Sequence, residues 1–275
     1  MRIALLLLVC PALAWGQVRV TPLSDHVVLL QSPRGNMVAS VGPEGALVVG
    51  AMDTLSATAV AESLTSRSAS PRRFVIAMAG LASIGQADAG WDKRGALVIM
   101  QELALRRMRD PSGAGLRRPR AKFSEFIAID LNDEPIHAVH QEPGYSDGDV
   151  LVHFEAANVI YLGESFPGDG YPRIDASVGG TLDGLVKTLD PWASSDPGSR
   201  RRFVGARGAL ATSADILAFR EMLNAVAAEV RRLKRAGRSL EDVIAAHPTA
   251  PYDQRWGRGL VGADRFVRDV YQAVR

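Results

Sequence analysis

Four side chains in the middle of the sequence have the types needed for acid, base or ligand-binding chemistry. Tyr145 can donate a proton or stabilise an oxyanion, and Glu164 can act as a base or hold a cation. Asp147 and Asp149 lie between them and are further candidates for a base. The tripeptide Asp-Gly-Asp that contains these two is also typical of a simple turn, which is the interpretation we favour. The candidate catalytic or ligand-binding residues are therefore Tyr145, Glu164, Asp147 and Asp149.

The histidines argue against an ordinary metal site. His137 and His140 are three residues apart in a strand-like stretch, so their side chains are expected on opposite faces. A metal ion shared by these two is therefore not expected. The sequence has no histidine at all between His26 and His137.

Motifs for several other chemistries are absent from the sequence. It contains no Ser-x-x-Lys, no Gly-x-Ser-x-Gly and no glycine-rich phosphate loop with its lysine. The single cysteine, Cys10, lies in the apolar N-terminal stretch, so no disulfide can form within the chain. If that stretch is removed, no thiol nucleophile remains either.

The first 16 residues have the layout of a secretory leader. Arg2 precedes an apolar run from Ile3 to Val9, and small residues follow at Ala12, Ala14 and Gly16. We expect a signal peptide at residues 1–16, one domain at residues 17–275, and a periplasmic or secreted location. No later segment contains the roughly 20 apolar residues that a transmembrane helix needs.

Composition restricts the classes of partner. The 275 residues are 47% hydrophobic and 23% charged, as in an ordinary globular domain, and the net charge of +2 gives no reason to expect nucleic acid. One basic cluster offers a contact with an anionic surface, although such clusters usually only keep a face solvated. Its arginines are Arg106, Arg107, Arg109, Arg117, Arg118 and Arg120.

Hydrophobic periodicity predicts two strand-rich halves, each followed by helices. The predicted strands include 26–31, 37–41, 46–49, 73–78, 97–100, 123–131, 135–140, 150–154 and 159–162. A long helix is predicted from apolar residues at steps of three and four, namely Ile216, Phe219, Leu223, Val226, Val230 and Leu233. Gly237 is expected to end this helix, and a capping box at Ser239 is expected to begin the next.

Three stretches together resemble the metallo-β-lactamase superfamily, in its secreted hydrolase branch. They are residues 35–49 (GNMVASVGPEGALVV), 143–163 (PGYSDGDVLVHFEAANVIYLG) and 171–184 (YPRIDASVGGTLDG). The resemblance implies an α/β fold, a four-layer αββα sandwich in a single domain. It also implies a zinc site at the edges of the two sheets.

The residues at the positions of the family's zinc ligands do not suit zinc. The family's His-x-His-x-Asp-His motif corresponds here to a stretch without histidine, aspartate, or cysteine, and Gly50 replaces a supporting aspartate. Since a catalytic zinc needs three protein ligands, we expect the zinc to be lost and no cofactor to be bound. The residues at the ligand positions are Ala79, Leu81, Ser83, Ile84, Tyr145, Glu164 and Ala206.

Two functions follow from this resemblance. The first is an exported pseudoenzyme whose cleft binds a ligand or a partner. The alternative is a hydrolase with an altered mechanism, in which Glu164, Asp147 or Asp149 acts as base and Tyr145 as acid. A single-metal version of this alternative would use Glu164 together with a carboxylate such as Asp88.

Overall fold

A computed structural model gives the structure of most of the domain expected from the sequence. The residues it describes are 18–50, 54–65, 67–68, 70, 73–78, 91, 95–108, 119–193 and 200–274. Several predictions lie outside these residues. They concern the leader at 1–16, the ligand positions Ala79, Leu81, Ser83 and Ile84, the carboxylate Asp88, and Arg109, Arg117 and Arg118 of the basic cluster.

The first of two β-sheets has seven strands that follow one another in chain order. They are β1 (Arg19–Pro22), β2 (Val27–Ser32), β3 (Gly35–Gly42), β4 (Gly45–Val49), β5 (Arg73–Ala77), β6 (Leu97–Gln101) and β7 (Ala121–Phe123). Strands β1 to β4 pair antiparallel, and β4 to β7 pair parallel.

The second sheet has five strands. They are β8 (Phe126–Leu131), β9 (Glu134–His140), β10 (Val150–Phe154), β11 (Val159–Gly163) and β12 (Arg202–Gly205). Their order across the sheet is β12-β11-β10-β9-β8. The pair β11 and β12 is parallel, and the other three pairs are antiparallel.

The helices are α1 (Thr54–Thr65), α2 (Glu102–Arg107), α3 (Leu182–Ala193), α4 (Ser213–Arg235), α5 (Leu240–Ala245), α6 (Asp253–Trp256) and α7 (Ala263–Ala273). None of the helices in the described ranges is both long enough and apolar enough to cross a membrane.

The alternation of side chains along the strands explains the layering. In β2, Val27 and Leu29 join a core shared with the second sheet, whereas Val28 and Leu30 join a core that contains side chains of α1. In the second sheet, Val152 faces the shared core and Leu151 faces a third core formed with the C-terminal helices. Strands β4 and β11 are buried along their whole length and are almost entirely hydrophobic, whereas β8 at the edge of the second sheet alternates exposed and partly buried residues. The predicted four-layer αββα sandwich is confirmed.

Helix α4 confirms the predicted apolar face. Five of the six predicted positions are fully buried, and the sixth, Leu233, is partly buried and packs against them at the edge of the third core. Gly237 follows the helix with a φ of 76°, and Ser239 forms the expected capping box with Asp242.

One predicted strand is wrong. The apolar run 123–131 was expected to be continuous, but it is divided between β7 in the first sheet and β8 in the second. The chain crosses between the sheets at Ser124 and Glu125, where the Ser124 carbonyl accepts a hydrogen bond from Gln101 Nε2 at 3.1 Å. Periodicity could not reveal this break because both parts of the run are extended and partly apolar.

Candidate functional site

The ends of β11 and β12 bring two loops to one edge of the second sheet. Because these strands are parallel, the residues that follow them, Glu164 and Ala206, leave the sheet at the same edge. The connection between β9 and β10, which contains Tyr145, also contributes to a cleft with Glu164.

The cleft has a volume of about 380 Å³. Its walls combine three arginines, one glutamate, one tyrosine and two aliphatic side chains. The lining residues are Tyr145, Glu164, Arg173, Arg207, Leu260, Val261 and Arg265.

Arg207 holds the carboxylate of Glu164. Its Nη1 donates to Glu164 Oε1 at 3.1 Å, and its Nη2 donates to Oε2 at 3.3 Å. Its Nε donates to Asp169 Oδ1 at 3.3 Å. The Arg207 side chain is only 16% exposed and that of Glu164 is 31% exposed, so water screens this pair less than a surface pair. Burial lowers the pKa of Arg207, but its two carboxylate partners more than offset this and the pKa lies above its ordinary value.

The backbone around Arg207 is fixed by the loop that follows β11. The Arg207 amide donates to the Pro167 carbonyl at 2.9 Å, and the Ala206 amide donates to the Gly163 carbonyl at 3.0 Å. Gly168 has a φ of 87°, and a Cβ there would lie 2.1 Å from the Arg207 carbonyl oxygen. The two loops can approach this closely only because position 168 has no side chain.

The phenol of Tyr145 is a weaker acid than that of an ordinary tyrosine. Burial raises the pKa of its phenol, the positive charge of Arg173 lowers it, and the negative charge of Glu164 raises it, with a net upward shift. The Arg173 guanidinium lies over the Tyr145 ring, with its Cζ 5.8 Å from the ring centroid.

The structure separates the four predicted site residues into two groups. Tyr145 and Glu164 line the cleft, whereas Asp147 and Asp149 do not belong to its lining. Asp147 accepts two hydrogen bonds from Arg107, from Nε at 2.6 Å and from Nη2 at 2.5 Å. Arg107 belongs to the basic cluster that offers a contact with an anionic surface, and its Nε and Nη2 donate to Asp147 in this ion pair.

Asp149 organises the loop that carries Tyr145. Its Oδ2 accepts from the amides of Gly144 at 3.2 Å and Tyr145 at 2.7 Å. Its Oδ1 accepts from the Ser146 amide at 3.0 Å and the Ser146 hydroxyl at 2.8 Å. Burial raises the pKa of Asp149 to about 6, against the opposing effect of these hydrogen bonds. The favoured interpretation of this segment as a turn agrees with these contacts.

The remaining arginines of the basic cluster that can be placed are exposed. Arg106 is 3.7 Å from Glu102, one turn earlier in α2, and Arg120 is exposed. The positions of Arg106 and Arg120 do not test whether the basic cluster contacts an anionic surface.

Other side chains fill the space at Gly50. A Cβ at this position would lie 2.8 Å from Met37 Cγ and 3.2 Å from the Tyr161 hydroxyl. Tyr161 is buried and donates to the Asn36 carbonyl at 3.0 Å. The aspartate that the resemblance implies at position 50 would therefore not fit without a shift of these side chains.

Asn36 joins the two sheets beside the cleft. Its Nδ2 donates to the carbonyls of Gly205 at 3.2 Å and Gly208 at 3.0 Å, and its amide donates to the Ala206 carbonyl at 2.7 Å. These bonds connect the beginning of β3 to the loop that carries Arg207.

The residues in this part of the structure do not fit a zinc ion. Ala206 has no donor atom, and the Glu164 carboxylate is already held by Arg207. Across the described ranges, no group of three or more histidine, cysteine, aspartate or glutamate side chains is arranged to hold a metal ion.

Sequence reasoning missed the arginines of the cleft. Arg173, Arg207 and Arg265 come from three separate segments, so no local motif unites them. Of the three, only Arg207 could have been noticed from the sequence, because it directly follows Ala206, a position at which the resemblance implies a zinc ligand.

Solved structures similar to this one share its fold at low sequence identity. The stereoselective inverting sec-alkylsulfatase PisA1 from Pseudomonas sp. has a TM-score of 0.72 and 11% identity, and a double mutant of PisA1 has a TM-score of 0.70 and 13% identity. Each comparison covers 93% of this chain and 50% of the sulfatase chain. This chain thus spans about half the length of the sulfatase.

A metallo-β-lactamase from Pontibacter korlensis is also similar, with a TM-score of 0.58 and 11% identity over 76% of this chain and 99% of that chain. No protein-family model matches the sequence, and no curated protein matches it. The chain has the metallo-β-lactamase fold, as the sequence resemblance predicted.

The ion pair in the cleft should have a measurable coupling energy. Arg207→Met and Glu164→Gln, made singly and together, should give a coupling of about 1–2 kcal/mol in the free energy of unfolding, because the pair is bidentate and poorly exposed. Urea denaturation of the four proteins measures it.

The pair Arg232 and Glu229 on α4 is the matched control. These side chains are 65% and 40% exposed, so water screens the pair and its coupling energy should be clearly smaller than that of the cleft pair. A cleft coupling as small as that of the control would contradict the role given to Arg207.

Asp149 should make stability depend on pH in a defined direction. Its pKa in the folded state, about 6, lies above its ordinary value of 3.8, so the folded protein binds this proton more tightly than the unfolded chain does. The contribution of Asp149 to stability should therefore increase as the pH falls from 7 to 4, by about 2 kcal/mol.

Asp149→Asn should remove this pH dependence. At pH 7 it should lower the free energy of unfolding by about 1–3 kcal/mol, because the amide nitrogen of the asparagine would face backbone N–H groups. Asp130→Asn, at an exposed position of β8, is the control and should shift stability by less than about 0.5 kcal/mol. Parallel stability curves for the wild type and Asp149→Asn between pH 4 and 7 would disprove the assignment.

Proposed function

We propose that this protein is a non-catalytic, ligand-binding protein built on the metallo-β-lactamase fold. The main observation that supports the proposal is the bidentate ion pair between Arg207 and Glu164. Glu164 is the one carboxylate at the ligand positions that the sequence identifies, and a metal ion would have to displace a guanidinium to reach it. A fixed cation beside Ala206 further opposes the binding of a dication through repulsion of like charges.

The contacts of the other acidic candidates support the same proposal. A general base needs an available lone pair within reach of the substrate. The lone pairs of Asp149 face the amides of its own loop, and the Asp147 carboxylate faces Arg107. The alternative, a hydrolase with an altered or single-metal mechanism, gains no support from these contacts.

The neighbours by fold are named as hydrolases, a sec-alkylsulfatase and a metallo-β-lactamase. We propose that this chain has kept their fold without their type of reaction. The cleft remains open, with a volume of about 380 Å³, which lies in the range of small-molecule sites. The presence of a cleft of this size supports the proposal that the protein binds a small ligand there.

The metal content of the purified protein tests the proposal. Residues 17–275, dialysed against zinc and then against buffer, should carry less than about 0.1 zinc per chain in elemental mass spectrometry, because too few ligands are available. A chromogenic sulfate ester and a chromogenic β-lactam should not be hydrolysed above the background rate.

Arg207→Ala is the informative companion variant. It frees the carboxylates of Glu164 and Asp169 but supplies no third ligand, so it too should remain free of zinc. Stoichiometric zinc in the wild type, or hydrolysis that depends on Glu164, would overturn the proposal.

We also propose that the protein is exported, on the strength of the leader pattern in residues 1–16. The full-length chain, expressed in a Gram-negative host, should be recovered outside the cytoplasm with a mass that lacks these residues. Leu6→Arg should block the processing because it interrupts the apolar run. Recovery of the protein in the cytoplasm, with residues 1–16 still attached, would disprove export.

A further inference from the structure

We propose that the protein forms a two-fold symmetric dimer in which the edge strand β8 pairs antiparallel with β8 of a second copy. This pairing joins the five-stranded sheets of the two copies into one continuous sheet. The inference does not depend on the proposed ligand-binding function, since β9 and β10 separate β8 from the strand ends that form the cleft.

The alternation of hydrogen bonds along β8 leaves one row of its backbone groups facing away from β9. The His140 amide donates to the Glu125 carbonyl at 2.8 Å, so the register of the two strands makes this a bonded pair. Bonded and non-bonded pairs alternate in an antiparallel ladder. The N–H and C=O groups of Phe126, Ala128 and Asp130 therefore point towards the free edge of the sheet.

The contacts on the other side of β9 agree with this alternation. Pro135 lies opposite Asp130, and its carbonyl accepts a hydrogen bond from the Glu155 amide, at the end of β10, at 3.0 Å. The backbone of Pro135 thus faces β10, as expected for a non-bonded position in the pair with β8. Among the residues that the structure describes, none forms a hydrogen bond with the outward backbone groups of β8.

The outward row of β8 is complementary to itself. In an antiparallel pair centred on Ala128, this residue lies opposite its counterpart, and Phe126 lies opposite Asp130 of the second copy. All three outward residues then form bonded pairs, each of which can exchange both N–H···O bonds of an antiparallel ladder. A pair centred on Ile127 or Ile129 would leave one of the three without an opposite residue in β8.

The side chains of β8 favour the same register. Ile127 and Ile129 are only partly buried at the edge of the core between the sheets, and each would lie opposite the other in the second copy. Cross-strand pairs of β-branched side chains stabilise a sheet. On the outer face Phe126 is 54% exposed, and Ala128 at the symmetry axis is too small to obstruct the approach.

Charge selects the antiparallel orientation. Asp130 is the one charged residue of β8. A parallel pair in register would place this carboxylate beside its counterpart, and like charges directly opposite each other destabilise a sheet. The antiparallel pair separates the two carboxylates along the strand.

The edge at β8 has none of the features that usually protect an exposed edge from pairing. It has no lysine, no proline and no bulge in its register with β9. At the opposite edge of this sheet, the Phe203 and Ala211 backbones exchange two hydrogen bonds at 2.9 Å, which cover β12. Within the described ranges, β8 is thus the open edge of the second sheet, and self-pairing would close it.

Sedimentation equilibrium of residues 17–275 tests the proposal. The interface is small, so we expect a monomer at about 1 μM and mostly dimer at about 200 μM. A monomer throughout this range would overturn the proposal.

Ala128→Pro tests whether the backbone of β8 makes the contact. Because the Ala128 amide faces outward, proline removes a donor to the second copy and leaves the hydrogen bonds to β9 intact. The dimer should become at least about tenfold weaker, since both symmetry-related bonds are lost. Ala128→Thr retains the amide and is the matched control, which should dimerise like the wild type. Equal dimerisation of Ala128→Pro and Ala128→Thr would show that another surface joins the copies.

Oxidative cross-linking tests the register and does not require the proline variant to fold. Residues 17–275 contain no cysteine, so an introduced thiol is the only one present. The thiols of Ala128→Cys would face each other across the symmetry axis with their Cα atoms about 5.5 Å apart, within the range of a disulfide. We expect a disulfide-linked dimer on a non-reducing gel.

Asp130→Cys is the matched control for the cross-link, at an equally exposed position of β8. Its thiol would lie opposite Phe126 and about 14 Å along the strand from its counterpart, too far for a disulfide. It should remain monomeric under the same oxidation. Equal cross-linking of the two variants, or none in Ala128→Cys, would overturn the proposed register, whether or not the protein binds zinc.

Discussion

The arrangement of the cleft depends on one ion pair, the bidentate contact of Arg207 with Glu164. A carboxylate that is only partly exposed needs hydrogen-bond donors or a cation close by, because its desolvation is otherwise too costly. In zinc hydrolases a dication meets this need and also activates water. A guanidinium meets it through fixed N–H donors and has no open coordination position. The Glu164 carboxylate therefore has a stabilising electrostatic partner in Arg207.

The surrounding loops hold this ion pair in place. Asn36 connects the first sheet to the loop after β12, the loop after β11 holds Arg207 from the other side, and Asp149 gathers the amides that position Tyr145. Each loop is held by hydrogen bonds from backbone groups, which leave little freedom for rearrangement. The cleft is consequently a preformed cavity, and a ligand would lose little free energy to conformational ordering when it binds.

The sequence allowed most of the strands to be predicted from their apolar pattern, and its resemblance to the metallo-β-lactamase superfamily implied the four layers. It also allowed the buried face of α4 to be predicted. It did not reveal the crossing between β7 and β8, since the two strands join in one continuous extended run. Among the candidate residues, it identified Tyr145 and Glu164 by type, whereas the role of Asp149 as the organiser of its loop depended on hydrogen bonds that spacing alone does not specify.

The amino-acid sequence by itself determined which chemical groups this protein has and which it lacks. No histidine occurs between His26 and His137, and position 206 is alanine; both facts hold for any fold of the chain. The tertiary structure alone decided how the remaining charges are paired. Arg173, Arg207 and Arg265 meet around one cavity because parallel strand ends, a loop and a C-terminal helix converge there, and electrostatic interactions depend on distance in space rather than along the chain.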